Sequence, residues 1–198
     1  MILPRAILFD MDGTLTQPML DFSKIRAEMG IGDRPILEAL AELAPDSQAA
    51  AKIILERHED DAAQNSTLNS GCRELLAWIE SRGLPTALIT RNSERCTNIV
   101  LDRHGITLHT KICREHAPFK PNPAGLRLAC DRLGIEYADA WMVGDGEYDV
   151  AAGIAAGMRT IWLSHGREKW FSHQPWQTVA DLHQLAEIYT GVLRAVLA

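Results

Sequence analysis

The chain has 198 residues, 46% of them hydrophobic and 23% charged, a balance that suits a globular protein with a buried core and excludes a low-complexity or disordered one. Its net charge of -6 comes without any cluster of Lys and Arg, so no face is basic enough to hold a nucleic-acid backbone. No apolar run approaches the roughly 20 residues that span a bilayer, no signal peptide precedes the four cysteines, and these lack CxxC or zinc-ligand spacing. The expectation is therefore a soluble cytoplasmic protein with reduced thiols, its oligomeric state left open.

In chain order, the apolar run Ala6-Ile7-Leu8-Phe9 opens onto Asp10 and Asp12, then Gly13, Thr14, Leu15 and Thr16. This reads as a buried strand that ends in a tight polar loop. In open α/β sheets the ligand crevice lies beyond the carboxyl ends of the strands, which is where the two carboxylates fall. Extended geometry sends Met11 one way and both carboxylates the other. Two close anions repel, and a divalent cation relieves the repulsion; Mg²⁺ suits one or two carboxylates, several waters and a substrate phosphate.

After the breaker Gln17-Pro18 the periodicity turns helical. Phe22, Ile25 and Met29 mark one helix; Leu37, Leu40 and Leu43 mark a second, stopped at Pro45; a third runs from about Ser47 to Gln64. The run Glu59-Asp60-Asp61 is expected to be a solvated helix face, because contiguous carboxylates on a helix point in different directions. Arg26, Arg57 and His58 are likewise expected to face solvent.

From Ser70, a plausible N-cap, the α/β pattern resumes with Leu75, Leu76 and Ile79 on a buried stripe that stops at Gly83. Pro85–Thr90 is a short apolar strand with a hydroxyl at its carboxyl end, and Arg91 next to it either adds charge to a phosphate pocket or faces solvent. Ser93–His104 reads as a helix, Thr110–Arg114 as a weak strand, and Lys120-Pro121-Asn122-Pro123 as the entry to a further helix. Trp141-Met142-Val143 forms a strand core that opens into Gly144-Asp145-Gly146-Glu147-Tyr148-Asp149, with Glu147 expected to be exposed. A fifth strand at Thr160–Leu163 leads to an aromatic-rich loop, Ser164–Gln177, expected to pack on its own domain rather than on the cleft edge or a second subunit. A final helix covers about Asp181–Leu197.

The stretch Asp10-Met11-Asp12-Gly13-Thr14-Leu15-Thr16 resembles the first motif of the haloacid dehalogenase superfamily, most of whose members are phosphatases that work through an aspartyl-phosphate. Thr90 at a strand end resembles the second motif, Lys120 with Pro-Asn-Pro the third, and Asp145 with Asp149 the fourth, all in the superfamily's order. The sequence departs from the commonest pattern at Gly146, where relatives usually carry Ser or Thr, which puts one supporting hydrogen bond in doubt. The resemblance implies an α/β, Rossmann-like three-layer sandwich with a mostly parallel sheet. It divides the chain into a core of residues 1–16 and 69–198 and a small all-helical cap, 17–68.

It also implies roles. Asp10 is the expected nucleophile, Asp12 the acid and base, and Thr90 and Lys120 the stabilisers of the phosphoryl group. Thr14, Thr90, Arg91 and Lys120 are expected to line the phosphate pocket. The metal, Mg²⁺, falls to Asp10, Asp12 through its main-chain carbonyl, Asp145, and Asp149 as an outer-sphere partner. The implied substrate is a small phosphorylated metabolite. Phosphoglycolate is favoured by similar capped relatives, while sugar phosphates and nucleotides stay open. Asp12 argues against a dehalogenase, and the short cap against a phosphomutase; a silent binding protein on the same fold is the remaining alternative.

Overall fold

The structure, a computed structural model, describes residues 3–197, with the side chain of the last of these left out. Six strands, β1 (Ala6–Phe9), β2 (Thr86–Ile89), β3 (Thr110–Ile112), β4 (Ala140–Gly144), β5 (Arg159–Leu163) and β6 (Gln177–Val179), form one sheet in the order β3-β2-β1-β4-β5-β6. Every pairing is parallel. The chain steps outward from β1 in one direction through β2 and β3, and from β4 in the other through β5 and β6. The crevice of such a sheet opens between β1 and β4, where the strand order reverses.

Because strand side chains alternate, each central strand feeds two cores. Ile7 and Phe9, Leu88, and Trp141 and Val143 face one layer, built from α4 (Cys72–Glu80), α5 (Glu94–His104) and α8 (His183–Leu197). Ala6 and Leu8, Ala87 and Ile89, and Ala140 and Met142 face the other, built from α6 (Ala124–Leu133) and α7 (Glu147–Ala156). Strands buried on both sides read as continuous apolar runs, which is how these do read.

Between β1 and β2 the chain forms α1 (Phe22–Met29), α2 (Ile36–Glu42) and α3 (Pro45–Asn65). These have an apolar cluster of their own around Ile25, Ile31, Ile36, Ala39 and Leu55. α3 is 21 residues long and begins with Pro45 at its first turn, so this proline starts a helix instead of ending one. Its far end joins the main core through Ala63. Where the helices return to the sheet, Asn69 Nδ2 lies 2.8–3.1 Å from the carbonyl oxygens of Gly13, Thr14 and Thr16, fastening the loop after β1.

Two further boundaries differ from the sequence reading. Gly71, with φ of 79°, caps α4 in place of Ser70. β6 emerges from the end of the aromatic loop, three residues too short and too polar to signal themselves. In that loop Phe171 packs edge-on against Trp162 and Trp176 against Trp141, while Trp170 stays exposed.

Candidate active site

Four loops meet at the carboxyl edge of the sheet. β1 delivers Asp10 and Asp12, β2 delivers Thr90, Arg91 and Asn92, β4 delivers Asp145 and Asp149, and the segment before α6 delivers Lys120. All eight line one cleft of about 560 Å³, whose other wall is made by the segment between β1 and β2, including Leu20 ahead of α1 and Phe22, Ile36, Leu37 and Leu55 on its helices. Thr14 is the exception among the expected site residues. Its side chain is fully buried, its hydroxyl has no partner, and it does not line the cleft, so only its backbone is left to take part.

Two glycines permit this closeness. At Gly13, φ is 82° and a side chain would come within 2.5 Å of the Asp145 carboxyl group. At Gly144 a Cβ would stand 2.2 Å from the Asp149 carboxyl carbon. At Gly146, where no side-chain hydroxyl is present, the backbone N–H donates to Asp149 Oδ2 over 3.0 Å.

The centre of the site is Lys120. Its ammonium donates to Asp10 Oδ1 at 2.6 Å, Asp149 Oδ1 at 2.6 Å and the Ile89 carbonyl at 2.7 Å, which uses all three of its protons. Burial pulls its pKa down, but the two carboxylates outweigh that and hold it above the ordinary lysine value, so it stays charged. Burial pushes Asp10 well above the usual carboxylate range, against the pull of Lys120 and with the help of Asp149 and Asp12. Burial likewise raises Asp145, against the opposing effect of Arg167.

Asp12 stands apart from that cluster. Its Oδ2 accepts a 3.0 Å hydrogen bond from Asn92 Nδ2. Burial lifts it to about 6, the Asn92 bond and Lys120 restraining the rise. A carboxyl group tuned near neutrality can give and take a proton at working pH. Asn92 also reaches Thr90, whose hydroxyl accepts from the Asn92 backbone N–H at 3.0 Å.

Oxygens of Asp10, Asp145 and Asp149 lie within 4.8 Å of one another. Three hard anionic donors at that spacing fit a small divalent cation of the Mg²⁺ type. Asp149 has both oxygens engaged, by Lys120 and by the Gly146 N–H, which suits an outer position. Asp145 is shared with Arg167, which approaches Oδ2 to 3.1 Å. The Asp12 carboxylate is not in this cluster.

Three expected surface charges are cleft residues instead. Glu59 is 4% exposed and lines the cleft, with Oε1 paired to Arg114. Arg26 also lines the cleft, and Glu147, expected to be exposed, is half-buried there and accepts from Ser172 at 2.7 Å. Arg57 and His58 pair with Glu28 on α1. Arg91 lies between the rings of Phe119 and Tyr148, each about 4.6 Å away, and donates to both oxygens of Glu38 on α2 at 2.8 and 2.9 Å. It is therefore committed to the helical wall more than to the phosphate pocket.

Sequence reasoning passed over Asn92, Glu38 and Arg167, which carry no motif of their own. Glu59 did leave a signal: Ala51, Leu55, Glu59 and Ala62 recur at spacings of four, four and three, so the glutamate sits on the buried stripe of its helix.

A family model described as haloacid dehalogenase-like hydrolase matches residues 4–157. The chain is 31% identical to N-acetylmuramic acid 6-phosphate phosphatase of Pseudomonas putida, over 82% of this chain and 83% of that one. It is also 31% identical to phosphoglycolate phosphatase 1 of Pseudomonas aeruginosa, over 83% of this chain and 71% of that one. Among solved structures, a hydrolase from Pseudomonas syringae superimposes with a TM-score of 0.79 over 92% of this chain and 97% of its own, at 16% identity, a likeness of fold.

Proposed function

The chain belongs to the haloacid dehalogenase-like hydrolase family, and from that premise we propose that it hydrolyses a phosphate monoester through an aspartyl-phosphate on Asp10, with Mg²⁺ as its cofactor. The observation that carries this reading is the placement of Asp10 beside Lys120 and in one acidic cluster with Asp145 and Asp149, with the Asp12 carboxylate bonded to Asn92 in the same cleft. The similarity to two phosphatases supports it.

Lys120 orients the Asp10 carboxylate and balances the charge that builds on the phosphoryl oxygens. Asp10 attacks phosphorus, a carboxylate nucleophile that splits one hard displacement into two easier ones. Asp12, raised by burial, protonates the departing alcohol and then takes a proton from the water that cleaves the acyl phosphate. Thr90 and the backbone N–H groups of the loop after β1 hold the transferred group in place. Asp10, the Asp12 main-chain carbonyl and Asp145 would hold Mg²⁺, with Asp149 as its outer partner, and the bound ion would supply charge neutralisation at the phosphate.

Residues 17–68 act as the cap that closes over the cleft, latched by Arg91 and Glu38. The substrate is a small phosphorylated metabolite, and the relatives' names span two unlike alcohols, a hydroxy acid and an amino-sugar acid. Turnover of para-nitrophenyl phosphate with Mg²⁺ tests the reading. It should be measurable in the wild type, and absence of release with Mg²⁺, Mn²⁺ and Co²⁺ alike would leave a binding protein on this fold.

A further inference from the structure

We infer that the tight turn after β5 supports the metal site, with Arg167 and His165 as positioning residues: Arg167 fixes the Asp145 carboxylate, and His165 fixes the loop that carries Asp12. This rests on the phosphatase reading above and adds a fifth segment to the four loops of the site.

The turn runs from Ser164 to Arg167. The Arg167 N–H donates to the Ser164 carbonyl at 3.0 Å, and both residues between them are left-handed, His165 with φ of 54° and Gly166 with φ of 72°. This is the pattern of a type I′ turn, for which Asn-Gly is a favoured pair. Histidine offers the backbone no advantage over asparagine there. What it adds is reach, because its Nε2 lies 2.6 Å from the Gly13 carbonyl oxygen. That oxygen can only accept, so Nε2 carries the donated proton. A residue other than glycine held in a left-handed conformation beside a cleft points to a side chain kept for what it contacts.

Arg167 acts from the other end of the turn. Its Nε donates to the Ser164 carbonyl at 2.9 Å, which anchors the guanidinium, and Nη2 reaches Asp145 Oδ2 at 3.1 Å. β5 holds the Asp145 backbone as well, through Trp162 Nε1 on its carbonyl at 3.0 Å. With Oδ2 engaged, Oδ1 is the oxygen left to a cation, and carboxylates that bind metals depend on such outer hydrogen bonds for their orientation. The Arg167 side chain is 52% exposed, so solvent screens much of its repulsion of a bound cation while the hydrogen bond still orients its acceptor. Both contacts act on one junction. A Cβ at Gly13 would come within 2.5 Å of the Asp145 carboxyl group, so the loop after β1 packs directly on Asp145, and the turn grips each of them.

The test is isothermal titration of the protein with MgCl₂, together with the Mg²⁺ concentration that gives half-maximal turnover of para-nitrophenyl phosphate. Arg167→Ala should weaken Mg²⁺ binding by about tenfold or more. Arg167→Lys should not restore it, although it keeps the charge, because one ammonium cannot bridge Ser164 and Asp145 as the planar fork does. His165→Asn suits the turn but is too short to reach Gly13. It should weaken Mg²⁺ binding by about two- to tenfold, the range of one hydrogen bond, while the thermal midpoint measured with a chelator stays close to that of the wild type. Glu168→Gln, an exposed neighbour just outside the turn, should bind Mg²⁺ as the wild type does.

Unchanged Mg²⁺ binding in Arg167→Ala or in His165→Asn would overturn the inference. So would tighter binding in Arg167→Ala, which would make Arg167 a counter-ion that competes with the metal, or full recovery in Arg167→Lys, which would make its charge sufficient. A wild type that binds no Mg²⁺ would overturn it too. Mg²⁺ binding without turnover of any monoester would overturn the phosphatase reading instead, and the titrations of the variants would still decide the positioning roles.

Discussion

Lys120 Nζ lies 2.6 Å from Asp10 Oδ1 and joins a residue at the end of β1 to one 110 positions later. It holds Asp149 at the same distance, so one buried cation satisfies two buried anions. Removing it strands both carboxylates. Lys120→Met should cost on the order of 3 kcal/mol or more in urea unfolding without metal, and saturating Mg²⁺ should restore part of the loss. Lys120→Arg should not rescue activity, since a planar guanidinium cannot aim three protons at acceptors arranged around a point. An unchanged unfolding midpoint in Lys120→Met would show that the pairing contributes nothing.

Arg91 and Glu38 make the cap latch testable. Their side chains are 21% and 37% exposed, so solvent screening holds the stability effect of Glu38→Gln to about 1 kcal/mol or less. The larger effect should fall on substrate capture, a rise in KM of roughly three- to tenfold with kcat little changed, because uniform binding is what the latch supplies. Limited proteolysis should cut the cap faster in the variant. A fall in kcat alone would place Arg91 in the chemistry instead.

The buried carboxyl groups of the site predict an inverted pH dependence for the metal-free protein. Asp10, Asp12 and Asp145 all have folded pKa values raised, burial being the largest cause in each. The folded state then binds more protons than the unfolded chain between their unfolded values near 4 and the folded value of Asp12, about 6. Stability therefore falls as pH rises through this window and is gained as pH drops. Asp12 alone accounts for on the order of 3 kcal/mol. Thermal melts with a chelator should show a higher Tm near pH 5 than near pH 7, with the difference reduced by Asp12→Asn and by saturating Mg²⁺. The same slope with and without Asp12 would contradict the assignment.

Much of this arrangement was legible in the chain because local chemistry and global position agree at the strand ends. β1 and β4 are continuous apolar runs, β2 and β5 become apolar after a polar start, and all turn polar where the sheet ends, so the acidic and hydroxyl residues announce themselves there. What could not be read is what depends on contacts between distant segments. Glu59 looked like one of three solvated carboxylates until Arg114 and the cap cluster buried it. Arg91 reads from the sequence as either a phosphate-pocket charge or a solvent-facing one, and its pairing with Glu38, 53 positions earlier, has no local signal. Thr14 sits within a motif, but the tight loop around Gly13 turns its side chain into the interior.

The account stands most directly on Asp10. Rapid quenching of the enzyme during turnover, followed by peptide mass mapping, should find one added phosphoryl group on the peptide that contains Asp10, and Asp10→Asn should lose the adduct together with at least about a thousandfold in turnover. Undiminished hydrolysis by Asp10→Asn, or an adduct on any other residue, would contradict the assignment.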